Sequence, residues 1–153
     1  MTAIREDVHI HAEAPAVYRR LAELESLGEW LPERFRDVRA EGERCAFTLA
    51  LPLRTESARL CVADAAEPHT LVLADDATAG SNGAGDPAIK SLRWELQPEG
   101  RGEVHVTLAA GYRVPGGIAG PLLDLLLFRP QRRQALRDTL WQLKQLVEGR
   151  PPA

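Results

Sequence analysis

A chain of 153 residues, 44% hydrophobic and 27% charged, has the length and balance of one globular domain that buries its core without disulfide or metal staples. Its net charge of −3 argues against a nucleic-acid-binding surface, which carries a basic footprint. No apolar run exceeds that of residues 125–128, far short of the roughly 20 residues a membrane-spanning helix needs.

Residues 4–11 alternate. Ile4, Glu6, Val8 and Ile10 fall on one face and Arg5, Asp7, His9 and His11 on the other, the period of a half-buried strand. Pro15 suits the first turn of a helix, and Val17, Tyr18, Leu21, Leu24 and Leu27 give that helix an apolar face. Gly28 ends or bends it, and residues 29–32 form a second short helical turn. Strands follow at residues 35–41 and 44–51, joined by a hairpin at Gly42 and Glu43. Pro52 marks a bulge, a kink or an edge. Residues 54–66 and 69–74 are further strands, separated by a turn at Glu67 and Pro68.

Residues 75–87 are rich in Gly and lack an apolar period, so they read as a surface loop. They contain neither a phosphate-loop nor a dinucleotide-binding glycine pattern. Residues 89–97 form a strand with Leu92, Trp94 and Leu96 on one face. After a turn at 98–102, residues 103–114 return with Val104, Val106, Leu108, Ala110, Tyr112 and Val114 inward.

A tight turn at Val114, Pro115, Gly116 and Gly117 leads into a long terminal helix. Leu136, Leu140, Leu143 and Val147, with Leu146 alongside, keep one face apolar at 3.6 residues per turn. Gly149, Pro151 and Pro152 stop it. The expected fold is α+β: a curved antiparallel sheet of six to seven strands around the long C-terminal helix, with two short helices after the first strand. Residues 1–149 read as a single domain and 150–153 as a tail.

The order of elements resembles the helix-grip superfamily, also called START-like or SRPBCC, of the polyketide cyclase/dehydrase and lipid transport type. Three stretches carry the resemblance: Ala14-Pro15-Ala16-Val17-Tyr18 with Trp30-Leu31-Pro32 after it; Leu92-Arg93-Trp94-Glu95-Leu96 followed by Gly100-Arg101-Gly102; and Tyr112-Arg113-Val114-Pro115-Gly116-Gly117 entering the last helix. The resemblance implies an apolar cavity between sheet and helix, and a hydrophobic small-molecule ligand such as a lipid, polyketide or quinone. It supplies no single catalytic motif.

The cavity is expected to be lined by Trp94, Leu96, Val106, Leu108, Tyr112, Leu136 and Leu140. The leading expectation is a carrier or sensor. A polyketide cyclase or dehydratase with Tyr112 as a weak catalytic candidate is one alternative, and a protein-interaction domain with a closed cavity is another. Glu6, and Arg54 or Glu56 according to register, are the other inward polar candidates. Trp30 reads as core or cavity wall, and Trp141 falls off the apolar stripe.

Stepping the helical stripe backward reaches Arg133 and Arg129. Either Pro130 kinks the helix and turns them out, or they enter the cavity mouth and contact a carboxylate or phosphate on the ligand. The kink is the favoured expectation. The leucine-rich segment with its flanking arginines also suggests transient membrane contact.

His9 and His11 share the outer face with Asp7, and His105 points outward. All are expected to be solvated, so no metal site is expected, and no cofactor. Cys45 and Cys61 have no metal or redox spacing and read as reduced thiols. Charged residues by position 7 leave no N-terminal signal pattern. A cytoplasmic monomer or homodimer with no nucleic-acid partner is expected.

Overall fold

The computed structural model describes residues 2–52, 54–76, 87–113 and 124–149. Seven strands form one sheet in the order β1-β7-β6-β5-β4-β3-β2. They are β1 (Thr2–Ile10), β2 (Phe35–Glu41), β3 (Arg44–Ala50), β4 (Thr55–Ala66), β5 (Thr70–Asp75), β6 (Ile89–Pro98) and β7 (Val104–Tyr112). Neighbours in that order pair antiparallel. A parallel contact between Ala58 of β4 and Ile89 of β6 curls the sheet on itself.

Two short helices, α1 (Ala14–Ala22) and α2 (Leu27–Trp30), follow β1, with a 3₁₀ turn between them. Pro15 does sit in the first turn of α1. The first helix stops at Ala22, however, so Gly28 lies inside the second helix and ends neither. Pro52 falls in the connection between β3 and β4 and not within a strand. The bulge in this region is in β2, between Arg36 and Arg39. There Asp37 adopts φ 51°, a left-handed conformation that a short polar side chain tolerates better than most.

The long helix, α3 (Arg129–Glu148), is preceded by a π-helical turn at Asp124–Phe128. The backbone changes helix type at the Pro130 region: Pro130 occupies the first turn of α3, where its missing N–H is harmless. Gly149 closes α3 at φ 70° and ψ 20°, the left-handed cap for which glycine carries no Cβ penalty. The expected glycine-rich loop falls largely in residues 77–86, and the expected turn at 114–117, both outside the described residues.

The core lies between the concave sheet face and α3. Period two places Val104, Val106, Leu108, Ala110 and Tyr112 of β7 inside, all 8% exposed or less. The same rule buries Phe47 and Leu49 of β3 and Ala58 and Leu60 of β4. Leu136, Leu140 and Leu143 of α3 answer them at 4%, 1% and 0% exposed. Trp30 of α2 meets Trp94 of β6 edge-on at 6.4 Å between centroids, a favourable aromatic geometry.

Helix α3 also fastens itself to β1, an edge strand. Lys144 Nζ donates to the carbonyl of His9 at 2.7 Å, and the backbone N–H of His11 donates to Glu148 Oε2 at 2.9 Å. Arg133 Nη1 donates to the carbonyl of Arg5 at 3.5 Å. These bonds tie α3 to β1 and the residue that follows it at three points along the helix.

Candidate functional site

Between the sheet and α3 is a cavity of about 50 Å³. Its walls come from every layer: Ile4 of β1, Leu21 of α1, Leu27 of α2, Phe47 of β3, Leu73 of β5, Trp94 of β6, Leu108 of β7 and Leu136 of α3. Almost all the lining is hydrocarbon. The polar exceptions are Tyr112, Arg132 and Thr139, with the Cys45 thiol. Thr139 spends its hydroxyl on the carbonyl of Ala135 one turn back at 2.8 Å.

Tyr112 and Arg132 belong to a buried ionic network at one end of this cavity. Period two in β4 puts Glu56 on the same inward face as Ala58 and Leu60, so a carboxylate enters the core at 2% exposure. Arg132 of α3, 3% exposed, meets it with both Nε, at 2.7 Å from Glu56 Oε1, and Nη2, on Glu56 Oε2. Its Nη1 donates to Asp124 of the π-helical turn. Tyr112 Oη donates to the other oxygen of Asp124 at 3.0 Å. The guanidinium carbon lies over the Tyr112 ring, 3.9 Å from its centroid, a cation–π contact strengthened by exclusion of water. Arg54 completes the set from the rim, 2.8 Å from Glu56 and 3.8 Å from the Phe128 centroid.

Two carboxylates and two guanidiniums thus neutralise one another. A buried charge is tolerated when it is paired and hydrogen-bonded in this way. Burial opposes the charge on Arg132, but its hydrogen bonds to Glu56 and Asp124 outweigh that, and its pKa is raised. The pKa of Tyr112 is also raised, by burial first and then by its hydrogen bond to Asp124. The phenol therefore keeps its proton more firmly than a free tyrosine, which makes it a poor acid.

The Cys45 thiol shows the same desolvation. Burial, assisted by the nearby Cys61, pushes its pKa from 9.0 up to about 11. A raised folded-state value stabilises the fold fully below the unfolded value and loses that contribution as pH rises through the folded one. Unfolding free energy measured across pH 9 to 11 should therefore fall, and Cys45→Ala should flatten part of that slope. A slope unchanged in the variant would show that the thiol is not desolvated. A thiol reagent at neutral pH should label half-buried Cys61 before Cys45.

Of the residues expected to line the cavity, Trp94, Leu108, Tyr112 and Leu136 do so. Leu96, Val106 and Leu140 are buried at 3%, 0% and 1% but pack elsewhere in the core. Arg133 turns away from the cavity to Glu6 of β1 at 3.2 Å, beside Arg137. Arg129, with Arg133, Arg137, Leu125 and Pro130, borders a separate outer depression. The arginine inside is Arg132, one residue from the expected position. A step of four back from Leu136 reaches it, where a step of three reaches Arg133, and a period of 3.6 allows both. Glu56 is among the inward polar candidates, beside Glu6 and Tyr112 and as the alternative to Arg54 by register, and it is buried at 2% exposure. Asp124, an acid within a leucine-rich run, was the unread signal.

On the opposite, outer sheet face, His9, His11 and His105 are partly exposed, as alternation requires. The fold adds to them two acids that strand spacing alone did not bring near, Glu99 and Glu103.

Residues 1–148 match the family model described as polyketide cyclase/dehydrase and lipid transport. No curated protein matches the chain. The fold is similar to that of TTHA0849 from Thermus thermophilus, at 18% identity and a TM-score of 0.75, covering 99% of this chain and 100% of that one. It is similar to a START superfamily protein from Mycobacterium smegmatis at 15% identity and a TM-score of 0.68, covering 94% and 98%. The Zhui aromatase/cyclase from a Streptomyces species gives 14% identity and a TM-score of 0.70, covering 99% and 96%. With a seven-stranded sheet curled against a long terminal helix and a family match over nearly its whole length, the chain belongs to the polyketide cyclase/dehydrase and lipid transport family.

Proposed function

We propose that this protein binds a hydrophobic small molecule between sheet and α3, as a carrier or sensor. The observation that carries this reading is the apolar cavity whose hydrogen-bonding side chains Tyr112, Arg132 and Thr139 already have protein partners. Such walls reward apolar burial, at roughly 25 cal/mol per Å² removed from water. They offer no unengaged acid–base pair for a cyclase or dehydratase. Tyr112 would orient a ligand carbonyl only by leaving Asp124.

Ligand pockets for drug-sized molecules run to roughly 300–1,000 Å³, so a cavity of about 50 Å³ requires α3 and the sheet to part on loading. Leu125, Leu126 and Leu127, at 56%, 64% and 45% exposed, provide an apolar surface for transient membrane contact during that step. None of the described helices is long and apolar enough to cross a membrane. The same small volume favours a second reading, an interaction domain whose groove has closed into ordinary core.

Native mass spectrometry of freshly purified protein, followed by extraction of anything bound, separates the two. A stoichiometric lipid, quinone or polyketide supports the carrier. Ala110→Phe, which fills the cavity from β7, should then lose that ligand while folding at a cost of about 1–3 kcal/mol for overpacking. Protein that is empty, and that stays empty when apolar ligands are supplied, moves the reading to the interaction domain.

A further inference from the structure

The outer face of the β1–β7 pair gathers imidazoles and carboxylates that neither the cavity nor the ionic network uses. His9 and His105 are opposite one another in the antiparallel register, and Ile10 opposes Val104. Alternation then brings His11 beside Glu103, on the same outward side. The β6–β7 turn is pinned in place: Gly102 N–H donates to Glu13 Oε1 at 2.8 Å, and Glu99 N–H donates to the Glu103 carbonyl at 3.0 Å. His9 therefore stands on a paired strand, His11 directly beyond its end, and Glu103 beside the tethered turn that leads into β7.

Among the described residues, two sets of three bring their ligand atoms within 4.8 Å of one another: His9, His11 and Glu103, and His9, Glu99 and His105. They differ in what already occupies the donors. His105 is held by carboxylates on both ring nitrogens, Nε2 at 2.7 Å from Asp7 and Nδ1 at 3.0 Å from Glu99. Both ring nitrogens of His105 are thus already engaged, and a metal would have to displace one of these short contacts. In the other set, Glu103 Oε1 is 3.6 Å from His9 Nε2 and 3.5 Å from His11 Nδ1. Ligands at roughly 2.0–2.1 Å from a tetrahedral zinc ion are about 3.3 Å apart, so the carboxylate oxygen is within a few tenths of an ångström of that spacing from each nitrogen, and the donor atoms all lie within 4.8 Å of one another.

We propose that His9 Nε2, His11 Nδ1 and Glu103 Oε1 bind one divalent transition-metal ion of the zinc type. Two imidazoles and a carboxylate suit zinc, nickel or copper and not magnesium or calcium, which take oxygen ligands. The fourth position is open to water. With Nε2 on the metal, the other ring nitrogen of His9 would face Glu99, whose Oε1 is 3.9 Å away, beyond hydrogen-bond distance. The backbone of His9 and His11 also receives Lys144 and Glu148 of α3. An ion here clips the end of β1 to the β6–β7 turn at the point where α3 is fastened.

The test uses tag-free protein stripped with a chelator and titrated with zinc by calorimetry, checked by competition with a chromogenic chelator. Saturable, stoichiometric binding is expected, with a melting temperature that rises in zinc by mass action. His11→Gln and Glu103→Gln should each weaken binding by about tenfold or more and abolish the thermal shift, while His105→Gln should stay within about threefold. These side chains are on the solvent side of the sheet, and circular dichroism confirms that each variant folds. The proposal is overturned by a lack of saturation up to about 1 mM zinc. It is equally overturned if His105→Gln, and not His11→Gln, removes the binding.

Discussion

Arg132→Met should destabilise the protein by about 3–5 kcal/mol, the cost of leaving buried carboxylates without their cation. Glu56 and Asp124 sit at 2% and 5% exposure and both bond to this one guanidinium. Glu56 would retain Arg54, and Asp124 would retain the Tyr112 hydroxyl. Arg54 would balance Glu56 from the rim, so Asp124 is the buried charge left without a cation. Removing these three charges together, in Glu56→Leu/Asp124→Leu/Arg132→Met, should be milder than removing the arginine alone, because no buried charge is then left uncompensated and only the Tyr112 hydroxyl and the rim guanidinium of Arg54 lose a partner. Urea denaturation of the two proteins supplies the comparison. A single-variant loss under about 1 kcal/mol would mean that water reaches the carboxylates and that the network is not sealed.

The second large effect separates neighbours on α3. Leu140→Ala should cost about 2–5 kcal/mol, since it deletes a buried side chain and leaves a hole in a close-packed core. Trp141→Ala, one residue on, should stay within about 0.5 kcal/mol despite removing a larger side chain. Leu140 is 1% exposed and Trp141 is 55% exposed. Equal losses at the two positions would mean that Trp141 is covered in solution.

Strong periodicity made some parts of the molecule readable in advance. In β7 the inward residues are all apolar and the outward ones include His105 and Thr107, so alternation assigned both faces and the sheet followed. In α3, Leu136, Leu140 and Leu143 defined the gripping face. The ionic network was harder to read because each member looks ordinary locally. Asp124 sits among leucines, Arg132 among other arginines, and Glu56 follows a proline-containing connection that obscures its register. Only packing of β4 and β7 against α3 gathers them. The histidine face has the same origin: His9 lies in β1 and His11 directly past its end, but Glu103 comes from beyond the β6–β7 turn, through a pairing that no local spacing encodes.

The fastening of α3 to β1 bears on how this molecule avoids self-association. An edge strand exposes unpaired backbone groups that can template the strand of another chain. Here Arg133, Lys144 and Glu148 occupy the groups at Arg5, His9 and His11. The helix that closes the cavity is thus also a guard along the sheet margin. Any opening that lifts α3 away bares that margin at the same moment, so prolonged opening favours aggregation by strand addition. At the other margin, β2 carries a bulge and the charges of Arg36, Asp37 and Arg39, devices that blunt an edge strand.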